Sequence, residues 1–320
     1  MKKMNFAIIG TNFISKKFVD AINKTNMATA YAVYSRTVEK GNGFAARNKV
    51  SKVYTDLELM LLDPDVDAVY VASPTFLHKS HTISALQNGK HVLCEKSIAT
   101  SFEEFLEMKN ACLSSGRVLL EAMRPAFDPS IDALIRSIPK IGKLRLANFE
   151  FCKYSSRYEN FKRGIVENAF DPTIKNSALS DIGVYPLWLA VRLFGEPHRL
   201  TADSIRLSNG FDGAGSVILN YGDMLTKITY SKITEGVNGS YIQGEKGTII
   251  IDKISEPKEI ILSLNSGERE IIFSSEIENN MIFEIESFCR MALGEMPFLP
   301  YLDVSETLIK TMDRIVASQG

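Results

Sequence analysis

The chain has 320 residues, 45% of them apolar and 23% charged, with a formal net charge of −1. That length predicts about two domains, each able to bury its own core, and the charge balance gives no pull toward nucleic acid or an anionic membrane. No apolar run nears the roughly 20 residues of a membrane span, and the N-terminus enters a strand at once without room for a signal peptide, so a cytoplasmic location is expected.

The four cysteines, Cys94, Cys112, Cys152 and Cys289, are scattered and form no C-x-x-C pair. They predict reduced thiols, mostly core filler, with neither a metal site nor a disulfide frame. Along the first 120 or so residues strands and helices alternate. "NFAIIG" is a continuous apolar strand, and "FISKKFVDAI" carries Phe13, Ile14, Phe18, Ala21 and Ile22 at helical spacing. "TAYAVYS" is a second strand. "TVEKGNGFAARNK" is a polar helix with an interruption expected near Gly41 and Gly43, and "DLELMLLD" is a short helix. "VDAVYVAS" is a third strong strand, followed by the helix "KSHTISALQNG" and the strand "KHVLCE". The helix "SFEEFLEMKNACLSSG", closed by Gly116, and the strand "RVLLEA" complete the series. Short apolar runs joined by helices predict right-handed crossovers and a parallel sheet buried on both faces.

After about residue 122 the rhythm changes. "LRLANFEFCKY" reads as one long strand, and residues 199–273 form a train of turn-separated β segments consistent with an antiparallel sheet. Helical stretches follow around 278–293 and 303–318. The expected fold is α/β: a doubly wound parallel sheet over 1–122, then an α+β domain over 123–320 with an open, mostly antiparallel sheet.

The first strand runs into "GTNFISKKF", the place where a dinucleotide-binding protein carries G-x-G-x-x-G. Only Gly10 of the three glycines is present; Asn12 and Ser15 stand at the other two positions. Such a turn holds a pyrophosphate against a helix N-terminus by backbone N–H groups and the helix dipole. Asn12 is a tolerable replacement because asparagine accepts left-handed φ better than other side chains do, and Ser15 is small enough for close helix–strand packing. The second strand ends in "YSRTVEK". An NAD site places Asp or Glu there, on the ribose 2′-OH. Here Ser35 and Arg36 replace the acid and Lys40 follows. Arginine clasps a 2′-phosphate that an acid would repel, so NADP is the expected cofactor and NAD the second choice.

The stretch "VYVASPTFLHKSHTISALQNGKHVLCEKSIA" resembles the Gfo/Idh/MocA oxidoreductases, whose pattern is an apolar strand, T-P-x-x-x-H, a helix and G-K-H-V-L-x-E-K-P. The matching positions are Ser73, Pro74 and His78, then Gly89 through Glu95 and Lys96. Further on, Asn168, Phe170 and Pro172, then Asp181, Gly183 and Tyr185, are similar to the branch that includes dimeric dihydrodiol dehydrogenases. The resemblance spans essentially the whole chain. It implies a Rossmann domain, a second domain whose exposed sheet face makes a homodimer or homotetramer, and hydride transfer between a nicotinamide cofactor and a sugar, polyol or trans-dihydrodiol. Within that resemblance the cofactor-binding residues are Gly10, Thr11, Asn12, Phe13, Ile14, Ser35, Arg36, Lys40, Ser73, Pro74, Thr75, His78 and Glu95.

Lys96 follows a parallel strand, on the side where ligands bind. A lysine there exchanges a proton with the substrate oxygen, aided by burial and a neighbouring cationic nicotinamide, both of which lower its pKa. Glu95 and Lys96, neighbours on an extended segment, leave on opposite faces, which assigns Glu95 to supporting the cofactor. Asp181 and Tyr185 are four apart and share a face near a helix start; Tyr185 is the candidate acid and Asp181 the residue that orients substrate hydroxyls. His78 is expected to brace the cofactor loop and His81 to be structural; two histidines without a third ligand do not make a metal site. Tyr154 and Arg157 are candidates for substrate contact.

The pattern departs in three places: Asn12 in the phosphate turn, Ser97 for the proline after Lys96, and "KNSALSD" for a glycine-rich run before Asp181, where Lys175 and Ser177 narrow the site or add charge. These departures motivate an alternative, a catalytically inert nucleotide-binding regulatory protein. Lys96, Asp181 and Tyr185 occurring together favour the enzyme.

Overall fold

The computed structural model describes residues 3–236 and 239–319. The chain divides into two compact units, one of residues 1–127 with 278–303, the other of residues 128–277 with 304–320.

The first unit contains β1 (Met4–Ile9), α1 (Phe13–Ile22), β2 (Ala28–Tyr34), α2 (Val38–Asn48), β3 (Lys52–Tyr54), α3 (Leu57–Leu62), β4 (Ala68–Val71), α4 (His78–Gln87), β5 (His91–Glu95), α5 (Phe102–Ser115) and β6 (Leu119–Ala122). Six parallel strands lie in the order β3-β2-β1-β4-β5-β6, a Rossmann arrangement whose order reverses between β1 and β4. Phe6–Ile9, Ala68–Val71 and Val92–Cys94 are buried without alternation, as a sheet covered on both faces requires. Phe18 stacks on Tyr70 with ring centroids 3.7 Å apart.

Two local expectations are corrected. α2 runs through Gly41 and Gly43 without a break. Gly41 is there because a Cβ would stand 2.6 Å from Val53 Cγ1, so its absence lets α2 approach β3. β3 itself, three residues at the sheet edge, was not expected, being too short to show a period.

The boundary also differs from a simple cut at residue 122. Helix α9 (Met281–Ala292) returns to the first unit. Met281, Ile285, Phe288 and Cys289 join the core around Phe6 and Phe18, with Phe288 and Phe6 ring centroids 5.4 Å apart. Its apolar stripe, four residues at helical spacing, has to be buried somewhere, and the β1–α1 layer takes it.

The second unit contains α6 (Pro129–Ser137), β7 (Leu144–Cys152), α7 (Tyr158–Lys162), α8 (Val184–Phe194), β8 (Arg199–Arg206), β9 (Asp212–Asn220), β10 (Leu225–Ser231), β11 (Ser240–Gly244), β12 (Gly247–Ile251), β13 (Glu259–Leu264) and β14 (Arg269–Ser274). Its eight strands are ordered β14-β13-β12-β11-β7-β10-β9-β8, antiparallel except for the β7–β10 pair. One face carries the exposed residues Leu146, Ile218, Leu225, Ile250 and Ile271. A last helix, α10 (Leu299–Ser318), ends the described chain. Among the described residues no helix is long and apolar enough to cross a membrane.

Candidate active site

The first unit gathers its predicted residues at the carboxyl ends of adjacent strands. Gly10 follows β1, Ser35 and Arg36 follow β2, Ser73 and Pro74 lie just past β4, and Lys96 follows β5. Gly10 has φ +113°, and a Cβ there would stand 2.7 Å from Ala72 O; only glycine lets the turn pass so close to the end of β4.

Asn12 does something other than what was expected of it. Its φ is −88°, so its tolerance of left-handed backbone is not used. Instead it is the N-cap of α1: Oδ1 accepts from Ser15 N at 3.0 Å and from Ser15 Oγ at 3.1 Å, while Nδ2 donates to Ala72 O at 2.9 Å. The N-x-x-S pattern before an apolar helix is a capping signal that the sequence already carried. The cap takes one first-turn N–H, while those of Phe13 and Ile14 have no intrahelical carbonyl to donate to and the helix dipole stands behind them. Phe13 is exposed, as are Arg36 and Lys40. A glycine whose Cβ would close the turn, first-turn amides at a helix N-terminus and an exposed Arg36 beyond β2 fit a phosphorylated dinucleotide.

Two histidines tie the loop after β4. His78 Nε2 lies 2.9 Å from Ser73 O and its Nδ1 3.0 Å from Ser97 O, while His81 Nδ1 lies 2.9 Å from Ser73 Oγ. His78 therefore spans Ser73 and the residue after Lys96. Burial holds its ring down at about 4, against the pull of the carbonyls around it, so it is neutral near pH 7 and donates one N–H. His81 is lowered by burial as well. The Lys96–Ser97 peptide is cis.

Glu95 turns inward. Tyr70 OH donates to its Oε1, and Lys96 N donates to its Oε2 at 3.2 Å. Burial pushes its carboxyl up, opposed by Lys96 and Tyr70. Sequence reasoning missed Glu121, whose Oε1 accepts from Ile98 N at 3.0 Å and so fixes the segment after Lys96. An acid inside the apolar strand "LLEA" was a readable signal for it.

In the second unit Asp181 sits in a π-helical turn, Leu179–Gly183, directly before α8; such turns recur at functional sites. Asp212 Oδ2 accepts from Leu179 N at 3.1 Å and holds the start of the turn. Tyr185, buried in the first turn of α8, meets Phe151 edge-on at 5.5 Å between ring centroids. Tyr154 OH donates to Glu159, and Arg157 Nε pairs with Glu167 Oε2 at 3.3 Å. Lys175 has a left-handed φ of +57°. Sequence reasoning also missed Lys232, whose Nζ lies 2.8 Å from Asp181 Oδ2; nothing local in "YSKIT" pointed to it. All four cysteines are free.

Residues 4–123 match the Gfo/Idh/MocA model described as an oxidoreductase family with an NAD-binding Rossmann fold, and residues 134–250 match the GFO/IDH/MocA C-terminal domain. The chain is 40% identical over 285 residues to the scyllo-inositol 2-dehydrogenase (NADP(+)) IolU of Bacillus subtilis (strain 168), covering 89% of this chain and 87% of that one. It is 28% identical over 274 residues to the trans-1,2-dihydrobenzene-1,2-diol dehydrogenase of Mus musculus, covering 83% and 79%. In fold it is similar to KijD10, a 3-ketoreductase from Actinomadura kijaniata solved with NADP and TDP-benzene, with a TM-score of 0.89 and 19% identity over 99% of this chain and 98% of that one.

Proposed function

The chain belongs to the Gfo/Idh/MocA oxidoreductase family and is an NAD(P)-dependent dehydrogenase or reductase acting on CH–OH groups, and from that premise we propose that it moves a hydride between NADP(H) and a carbinol or carbonyl carbon of a polyol or sugar. One observation carries the reading. The Gly10 turn, Arg36, the Ser73 loop and Lys96 stand together at the carboxyl ends of parallel strands, where the strand order reverses.

When bound, the nicotinamide supplies the hydride acceptor or donor. Gly10 and the first-turn amides of α1 hold the pyrophosphate, and Arg36 meets the 2′-phosphate. His78, buried between Ser73 O and Ser97 O, donates its one N–H to one of these carbonyls and packs against the other, which keeps the Ser73 loop beside the Lys96 segment. Lys96 exchanges the proton on the substrate oxygen, Tyr185 is the second proton-transfer group, and Asp181 orients substrate hydroxyls. The scyllo-inositol and dihydrodiol dehydrogenases among the relatives support a vicinal diol or polyol as substrate. The apolar strip on the second unit's sheet supports a homodimer or homotetramer through that face, testable by light scattering. Free thiols throughout support the cytoplasm.

Ser97 directly after Lys96 and the "KNSALSD" run before Asp181, both beside the proposed proton-transfer residues, support as a second reading a protein that binds nucleotide without turnover. A fluorescence titration with NADPH and NADH, followed by turnover of scyllo-inositol, other polyols and trans-dihydrodiols with Lys96→Ala as control, separates the two. Tighter NADPH binding with Lys96-dependent turnover is expected. Tight binding without turnover supports the regulatory reading, and no binding of either nucleotide overturns both.

A further inference from the structure

We infer that Lys232 is a positioning residue that fixes the Asp181 carboxylate from behind; this rests on the reading of Asp181 as the group that orients substrate. Lys232 directly follows β10, and its backbone N–H donates to Gly213 O at 2.9 Å. Its Nζ lies 2.8 Å from Asp181 Oδ2 and donates to Ala169 O at 2.6 Å. The Phe170 and Phe211 ring centroids are 5.0 and 5.2 Å from the same nitrogen. The amine thus joins three segments: the end of β10, the turn at Asn168–Phe170 and the π-helical turn of Asp181.

The asymmetry of the pair points to a working role. The Lys232 side chain is 4% exposed, whereas that of Asp181 is 38% exposed. A surface pair with two mobile partners fixes little. Here the cation is locked in a packed wall, and a buried charge is tolerated only when its partners are in place. The locked end dictates where the partly exposed carboxylate stands. Asp212 pins the same turn at Leu179, so the backbone and the side chain of Asp181 are held separately. A compact ammonium with three donors serves Asp181 and Ala169 at once, beside the contacting rings of Phe170 and Phe211.

The test is a double-mutant cycle on the full chain, with Lys232→Met, Asp181→Asn and the double variant, using scyllo-inositol and NADP as probes. Lys232→Met keeps an apolar stem beside the Phe170 and Phe211 rings and removes the charge. It is expected to lower kcat/KM about tenfold or more, mainly through KM, because loss of a charged hydrogen bond and a shift of about 1 Å suffice for that. In the Asp181→Asn background the same change is expected to cost about twofold at most, with NADPH affinity unchanged in every variant. Equal losses in both backgrounds would assign Lys232 a merely structural role and overturn the inference. A crystal structure of Lys232→Met tests it without turnover: the Asp181 carboxylate is expected to move, and an unmoved carboxylate overturns the inference whatever the enzyme does. Should Lys232→Met not fold, Lys232→Arg, which carries its charge on a longer stem, gives the same cycle and the same crystallographic test. Absence of turnover by the wild-type protein would count against the dehydrogenase reading alone.

Discussion

The Asn12 side chain accepts both the backbone N–H and the hydroxyl of Ser15, at 3.0 and 3.1 Å, and by doing so turns an incomplete glycine motif into a capped helix start. The substitution exchanges one nucleotide-facing amide for a stable α1 N-terminus. Replacing Asn12 with glycine should cost about 1 kcal/mol of stability, a few tenths for the cap and the rest for the lost Nδ2 bond to Ala72 O. It should tighten NADPH binding by several-fold, because a freed N–H adds a charge-assisted bond to phosphate. Fluorescence titration checks this; weaker binding by Asn12→Gly would mean that Asn12 itself touches the nucleotide.

Arg36 stands exposed beyond β2, where the sequence lacks the usual acid. Arg36→Ala should weaken NADPH about tenfold or more and NADH about twofold at most, since only the former has a 2′-phosphate to lose. Parallel titrations decide it, and equal losses would remove the 2′-phosphate assignment.

His78 carries a pH dependence of definite sign. Burial holds its pKa down at about 4 in the folded protein, against 6.5 for an unperturbed imidazole. Between those values the unfolded chain binds the extra proton, so the stabilisation present above pH 6.5 is lost as pH falls toward 4. From pH 6.5 to 5 the loss amounts to about 2 kcal/mol from this residue. Urea unfolding of wild type and His78→Gln at the two pH values should show the variant losing less by about that amount. Parallel slopes would reject the assignment.

Glu284 of α9 works in the opposite direction. It is wholly buried, and among the described residues neither carboxylate oxygen has a hydrogen-bond partner. Burial, and then the neighbouring Glu95, push its carboxyl well above the ordinary carboxylate range. The stabilisation it gives is full below pH 4.5 and is lost as pH rises through the folded value. Glu284→Gln should therefore gain on wild type as pH rises from 5 to 8, because glutamine has no proton to lose in the unfolded chain. A constant difference in unfolding free energy across that range would show Glu284 to be ionised in the native state.

Apolar runs such as "NFAIIG" and "VDAVYVAS" were enough to place strands, since a strand covered on both faces has no polar positions to spare. The strand-helix alternation then implied a parallel sheet, and with it which turns lie at the ligand-binding edge: Gly10, Ser35 and Arg36, Ser73 and Lys96 were all identifiable from their place just past a strand. Capping was equally local, because Asn12 and Ser15 are one helical turn apart. β3 is invisible in the sequence because three residues carry no period, and an interruption of α2 near Gly41 and Gly43 is the expectation because glycine weakens a helix unless a neighbour needs its missing Cβ, as Val53 does at Gly41.

What no local pattern could supply were the pairings between segments distant in the chain. Return of α9 to the β1–α1 layer, the Glu121 bond to Ile98 N, the span of His78 from Ser73 to Ser97 and the hold of Lys232 on Asp181 each depend on which surfaces meet after folding. Periodicity reports which face of an element is apolar and is silent about which partner covers it. A polar side chain's bond partner is chosen by proximity across the fold, and a lysine destined for a buried ion pair reads along the chain like any other.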